Sequence, residues 1–530
     1  MRKALKASFS ATKAMARTLN KYMFDNAVNY SDAKRRFNEA SRLLGGHDSA
    51  AGAFYEAWNA GRQTIRAYHD EEHFYDIAGR EAIRDWANAV RFRAGIYHDV
   101  VRQHVDVKGD NKKGFAPGIE EAIGQYICRE GKTIYLANDP ALKNDALFQA
   151  ALALFNVDEN ERSKNDIVLS PTTEQPAGQN ELLSTLYAIQ QAKAIGISAK
   201  YILAEMAHIR ATIPFQFESL EGQLHVANEV LPTQQRLSAD EMKQVLIGAV
   251  RMANADLASF TKPFDEFIKG SRAMMLESIA GTPDNFDKPA FMLAAAMRPV
   301  SFLDRMLAGK TRIFHSAHGQ PDAASLAADE EKAMENSRIM GDYLYANASA
   351  ATLVAAIHVA NTPEGETPSV DVSLEALLYR QFTLTPRASG QLSEHGKIAL
   401  KECQKKILIT DQVAAYLLET LGSEGIKKLA KLAHATGVQS APAKPGMGTK
   451  ESANDFLQEA AALFAEKGVD FTAVRHDLEQ AMQSLALPFV SREQYTQRTE
   501  ETKTHLQKLL RSDSWKGNGW MQGQQGQKPF

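Results

Sequence analysis

An all-α architecture is the prediction, and two observations carry it. Apolar residues recur at spacings of three and four along most of the 530-residue chain, the period of a helix with one buried face. Runs in which β-branched and polar residues alternate, the mark of half-buried strands, are nearly absent. The expectation is a helical bundle followed by further helical domains, with short strands at most.

Taken in order, segment 1–24 carries Arg2, Lys3, Lys6, Lys13, Arg17 and Lys21, with no acid before Asp25. Leu5, Met15, Leu19 and Met23 make it a basic amphipathic helix, the preferred reading over a mitochondrial presequence. Ser31 or Asp32 caps a helix over 31–43, which Gly45 and Gly46 stop. The next two helices carry the histidines discussed below. In the second of them Ile83, Trp86, Val90, Ala94 and Tyr97 form one apolar stripe.

Residues 107–118 read as a polar loop, 133–136 as a strand-like piece and 168–179 as a second loop. Helices follow over 182–195 and 198–213, the latter ended by Pro214, and over 239–261. Beyond about residue 285 the chain turns Ala-rich, with helices expected over 288–308, 327–361, 371–384, 394–421 and 423–435. Residues 437–450 have linker composition and precede a small helical unit, 451–512. The Gly- and Gln-rich tail, 513–530, is expected to be disordered. The domain expectation is thus 1–285, 286–436 and 451–512.

Bulk properties narrow the class. Hydrophobic content of 44% and charged content of 24% are those of a globular protein. A net charge of −3 gives no support to a nucleic-acid polymer as partner. Two distant cysteines, Cys128 and Cys403, match neither a disulfide framework nor a zinc spacing. They suit a reducing compartment, so the cytoplasm is the expected location. The alternatives are mitochondria, or delivery into another cell as a secreted effector. No apolar run approaches a bilayer span.

The chemistry gathers at His69 and His73, four residues apart, and at the doublet His98-Asp99. One helical turn places His69 and His73 on one face, and the doublet adds a nitrogen and an anionic oxygen donor. That mixed set suits a divalent transition metal, or two metals sharing the carboxylate. A further anionic donor is needed, and Asp256 is the best candidate. Val245, Ala249, Met252 and Asp256 fall on one helical face, and a carboxylate ending an apolar stripe needs a compensating cation. A metal or an arginine such as Arg251 would each supply it.

The pattern Tyr68-His69-x-x-x-His73, Tyr97-His98-Asp99, Asn180-Glu181-Leu182-Leu183-Ser184, Ile209-Arg210-Ala211-Thr212 and Asn254-Ala255-Asp256 resembles the HD superfamily of metal-dependent phosphohydrolases. The likeness covers roughly residues 50–265. It implies an HD-like bundle in which His73, His98, Asp99 and Asp256 hold one or two divalent ions (Mn, Mg, Fe, Zn or Co). It also implies hydrolysis of a small phosphoester, such as a nucleotide, with His69 as general acid.

Glu181 could bind a metal-coordinated water or a second cation, or simply complement the helix dipole. Arg210 and Thr212 are candidates for binding the phosphoryl group, since an arginine fork matches phosphate oxygens. His208 reads as a core histidine, and His315 and His318 as loop residues. A different class of function is also open: an interaction or effector-like protein whose HD-like part is structural and whose C-terminal helices bind a protein partner.

Overall fold

The computed structural model describes residues 30–47, 50–61, 69, 71–101, 118–130, 133–137, 139–157, 178–213, 217–263, 267, 312–363, 412–435 and 450–484. The basic segment 1–24, most of the loops 107–118 and 168–179, and the expected helices 288–308 and 371–384 lie outside them. So do 394–411, the linker 437–449 and the tail 513–530.

The fold is all-α. Among the described residues the strands are β1 (Ile127–Glu130) and β2 (Thr133–Leu136), an antiparallel hairpin in which Cys128 faces Tyr135. The chain divides into two compact units. The first holds the residues up to Thr261 together with Arg312–Glu330, and the second holds Lys262–Thr311 and Glu331–Arg511.

Helices of the first unit, in chain order, begin with α1 (30–43), α2 (Ala50–Gly61), α3 (Glu71–Ala78) and α4 (Trp86–Tyr97). The short α5 (Ile119–Ile123) and α6 (Pro140–Lys143) flank the hairpin. Then come α7 (Ala146–Leu154), α8 (Gln179–Ala194), α9 (Ala199–Ala211), α10 (Leu220–Val230) and α11 (Ala239–Leu257).

Helix α9 is the spine. It packs on α4, α7, α8, α10 and α11, and every residue from Ile202 to Ala211 is buried. Side chains that stiffen the bundle's other end are aromatic: Phe37 lies 5.4 Å from Phe54 and 5.5 Å, edge-on, from Tyr97. Helix starts follow local chemistry. Asp85 caps α4 by accepting from the Asn88 N–H at 2.8 Å, and Ser238 with Glu241 forms a capping box on α11.

The expected cap of α1 is different. Residue 30 is already helical, so Ser31 and Asp32 stand inside the helix. Asp32 is taken instead by Arg35 at 2.5 Å and by the Tyr75 hydroxyl, because a carboxylate one turn before an arginine pairs along the helix face.

A buried ion pair crosses the core. Arg93 of α4 and Glu205 of α9 meet with both side chains at 0% exposure. Arg93 also donates to Ser41 Oγ at 2.6 Å and covers the Phe37 ring at 4.7 Å. Burial pushes the Glu205 carboxyl pKa up despite the guanidinium beside it. Arg93→Met alone is expected to cost about 3–5 kcal/mol by stranding Glu205, while Arg93→Met with Glu205→Leu restores most of it. Denaturant unfolding of both variants checks this.

In the second unit, α12 (Ala323–Asn361) contributes its residues from Glu331 onward. It is followed by α13 (Gln412–Ala435), α14 (Lys450–Ala465) and α15 (Phe471–Ser484). The break expected between 421 and 423 is there: Gly422 has φ 68, a left-handed conformation that interrupts α13. Ser349 donates to the Ile426 carbonyl at 3.3 Å, and Phe464 packs on Phe471 at 5.3 Å. No described helix is long and apolar enough to cross a membrane.

Candidate metal centre

Three elements bring the donors together. His73 stands on α3, His98 and Asp99 follow the end of α4, and Asp256 lies in the last turn of α11. The His73 Nε2 is 3.2 Å from Asp256 Oδ1 and 3.8 Å from Asp99 Oδ2. His98 Nε2 is 3.4 Å from His73 Nε2, 3.4 Å from Asp99 Oδ2 and 3.8 Å from Asp256 Oδ1. His69 joins through Asp99, at 3.7 Å. Two three-residue groups, His69-His73-Asp99 and His73-His98-Asp256, therefore share His73, and His98 of the second also lies 3.4 Å from Asp99 of the first.

These separations fit a cation. An ion about 2.0–2.2 Å from each donor, in tetrahedral or octahedral geometry, sets neighbouring donors about 2.8–3.4 Å apart. The observed 3.2–3.8 Å needs only a few tenths of an ångström of closure. Imidazole nitrogens with carboxylate oxygens form the mixed donor set suited to Mn, Fe, Co or Zn, more than the all-oxygen set of Mg or Ca.

His98 is held ready. Its Nδ1 lies 2.8 Å from the Gly95 carbonyl, which can only accept, so Nδ1 carries a hydrogen and Nε2 is the ring nitrogen turned to the cluster. Burial opposes charge on this ring. Asp99 first, then Asp256, outweigh burial and push its pKa up to about 9. Asp256 is correspondingly held well below the usual carboxylate range, where contacts with His73 and His98 overcome its burial. A proton thus serves these carboxylates until a cation replaces it, and affinity for a metal rises with pH up to about 9.

The same glycine sets the helix crossing. A Cβ on Gly95 would lie 2.3 Å from Ala78 Cα and 2.5 Å from Ala78 N. Helices α3 and α4 touch backbone to backbone there, and this contact brings His73 within reach of His98.

His69 is not on the helix. Helix α3 starts at Glu71, with Glu71 and Glu72 in its first turn, where their charges complement the dipole. The chain's entry into the helix, rather than a turn of it, holds the His69 ring 5.3 Å from that of His73. Burial grades across the cluster. His98 and Asp99 are sealed, whereas the side chains of His73 and Asp256 keep 11% and 18% exposure, so access is from their side.

The motif residues beyond the cluster have distinct positions. Ser184 Oγ accepts from the Val101 N–H at 3.1 Å, tying α8 to the chain two residues past Asp99. Glu181, in the first turn of α8, is buried and faces Arg210 electrostatically. Arg210 donates to Ser219 Oγ at 3.3 Å, and burial lowers its pKa to about 10, leaving it a cation at neutral pH. Thr212 donates its hydroxyl to the Ile209 carbonyl at 2.8 Å, so its proton closes the end of α9.

His208 is in the core as expected. Its Nδ1 lies 2.8 Å from the Ala204 carbonyl, and α11 passes so close that a Cβ on Gly248 would sit 2.5 Å from Nε2. Burial, with Arg91 adding to it, lowers its pKa to about 4. The unfolded chain therefore takes up a proton below about pH 6.5 that the fold refuses until about pH 4. This group's contribution is intact above pH 6.5 and declines as pH falls, by about 2 kcal/mol at pH 5. Urea unfolding of chelator-treated protein should show that slope, and His208→Leu should remove that part of it.

One contact has no local sequence signal. Asn254, two residues before Asp256, holds both backbone groups of His315: its Nδ2 donates to the carbonyl and its Oδ1 accepts from the N–H, each at 3.0 Å. Glu330 accepts from the N–H groups of Ile313 and Phe314, and the His315 ring stacks on Phe217 at 4.7 Å. His315 and His318 are loop residues, as expected, and their loop belongs to the first unit, with His315 held beside the helix that carries Asp256.

No protein-family model matches the chain, and neither does any curated protein or solved structure. The reading of the site stands on its geometry.

Proposed function

We propose that the first unit is a metal-dependent phosphohydrolase, with an HD-like arrangement of ligands, acting on a small phosphoester such as a nucleotide. The observation that supports it most is the convergence of His73, His98, Asp99 and Asp256 donors at spacings suited to one cation. These four residues would hold it, and Asp99, within 3.8 Å of three imidazoles, is placed to serve a second ion.

A divalent ion held there supplies positive charge that acidifies a coordinated water and offsets charge on phosphoryl oxygens. The chain does the rest. The Gly95 carbonyl orients the His98 ring, and His98 and Asp99 are buried. His69, buried beside Asp99, is assigned the proton that the leaving oxygen needs. A histidine suits that task because its ordinary pKa lies near neutral pH. Arg210 and the end of α8 would receive the phosphoryl group.

Protein purified without chelator should contain a transition metal near one per chain and cleave at least one member of a nucleotide and phosphoester panel. Chelation should stop cleavage and Mn(II) restore it. Protein that carries no metal and takes up no Mn(II) on titration would sink the reading. His69→Gln should keep the metal yet slow turnover by about 10²–10⁴-fold, most for alkoxide leaving groups and least for a nitrophenolate. Equal slowing of both would remove the acid role.

A further inference from the structure

We infer that the N-terminal end of α8 is an oxyanion receptor, taking a phosphate or phosphoryl group between Gln179, Arg210 and the first-turn N–H groups. It deepens the phosphohydrolase reading by giving the substrate's phosphoryl oxygens a subsite on the protein itself.

Several features of one place point to it. Helix α8 runs for 16 residues, and its N-cap is Gly178, at φ 101, which has no side chain to cap it. Its first intrahelical bond is from Leu182 N–H to the Gly178 carbonyl at 2.9 Å, so the first-turn N–H groups point along the axis to the positive end of the helix dipole. Gln179, the first residue of the helix, is 8% exposed, yet neither its amide nitrogen nor its amide oxygen has a hydrogen-bond partner. Helical side chains lean toward the N-terminus, which aims this amide at the same end.

A buried amide without a partner in the protein is uncommon and marks a place for a water or a ligand. The amide NH2 can donate to an oxyanion, and its carbonyl can accept from a protonated phosphate or a substrate hydroxyl.

The cation is adjacent. A Cβ on Gly178 would lie 2.6 Å from Ile213 Cδ1, so the start of α8 presses on the end of α9, where Arg210 stands. Arg210 is 1% exposed and sits within the field of Glu181, whose carboxylate balances it until an anion binds and weakens the affinity for one. Ser184, one turn along α8, accepts from the Val101 N–H at 3.1 Å, two residues past Asp99. The helix that starts at the receptor is thereby tied to the chain just past the candidate metal centre.

The test uses the full chain, stripped of metal with chelator, and inorganic phosphate as the probe in titration calorimetry. Gln179→Glu keeps the shape, adds a negative charge at a helix start that favours acids, and should fold. Saturable phosphate binding is expected, displaced by sulfate and at least about tenfold weaker in Gln179→Glu, with metal uptake unchanged. Gln179→Leu serves as the second variant and should weaken binding without repulsion.

No saturable binding by the native chain, or equal affinity in native protein and both variants, overturns the inference. Metal uptake measured on the same samples separates the two readings. Phosphate binding without metal uptake keeps the receptor and removes the phosphohydrolase; metal uptake without phosphate binding does the reverse. Inhibition of phosphoester cleavage by phosphate divides the sources. Competitive inhibition assigns the receptor to the substrate's phosphoryl group, and noncompetitive inhibition assigns it to free phosphate.

Discussion

Gly95→Ala is expected to unfold the first unit or leave it with no metal-binding capacity. The added methyl carbon would lie 2.3 Å from Ala78 Cα, well inside contact distance, and the obstacle is backbone, which no rotamer change can clear. Helix α3 has to move off α4, taking His73 away from His98 and opening the packing around Phe74, which is fully buried. Overpacking of this kind costs about 3 kcal/mol or more.

A control sharpens the result. Gly52 is also inside a helix, α2, but a Cβ there meets nothing within 4 Å. Gly52→Ala should therefore stabilise the protein by about 0.5–1 kcal/mol through backbone entropy alone. Thermal and urea unfolding of the pair decide the matter: a Gly95→Ala protein as stable as Gly52→Ala would show that the helices do not cross there.

Asp99→Asn should abolish metal binding while keeping side-chain size. The carboxylate contacts His69, His73 and His98 at 3.4–3.8 Å, so removing its charge takes the carboxylate donor from the His69-His73-Asp99 group and from beside His98. Metal content should fall below about a tenth of the native value, and any phosphoester cleavage with it. Removal of a group that merely orients a ligand costs about 10–100-fold in affinity, and a direct ligand costs more. The metal-free protein responds too, because Asp99 is the leading charge that raises His98. In Asp99→Asn the His98 pKa moves down from about 9, which histidine proton resonances followed against pH would record. Native metal content in this variant would exclude Asp99 as a ligand.

Much of the fold was legible because helix periodicity is local. The break at Gly422, the hairpin strand at Thr133–Leu136 and the start of α11 behind Ser238 each follow from a few neighbouring residues. Asp256 was legible for the same reason: an acid ending an apolar stripe has to meet a cation or a proton, and here it meets His73 and His98. His69 illustrates the limit. Its spacing from His73 suggests a shared helical face, but Glu71 and Glu72 decide where the helix begins.

Gly95 was not legible. A glycine in a helix looks like a defect until Ala78, on another helix, is known to touch it. The Arg93–Glu205 pair and the Asn254 hold on His315 join residues 112 and 61 positions apart, beyond any pattern in a window of sequence. Charged side chains on apolar stripes mark a need for partners without naming them.

The hold of Asn254 and Glu330 on residues 313–315 also orders the events of biosynthesis. The first unit takes in Arg312–Glu330, which follows Thr261 only after the intervening residues 262–311 in the sequence. Every candidate metal ligand has left the ribosome's peptidyl-transferase centre well before Glu330 is added. Until His315 itself is added, the amide of Asn254, two residues from Asp256, has no such backbone to grip. The unit with the candidate metal centre is therefore completed late, by a piece of chain that follows its last candidate ligand, and a fragment ending soon after Thr261 would hold all the candidate ligands without the segment that finishes their surroundings.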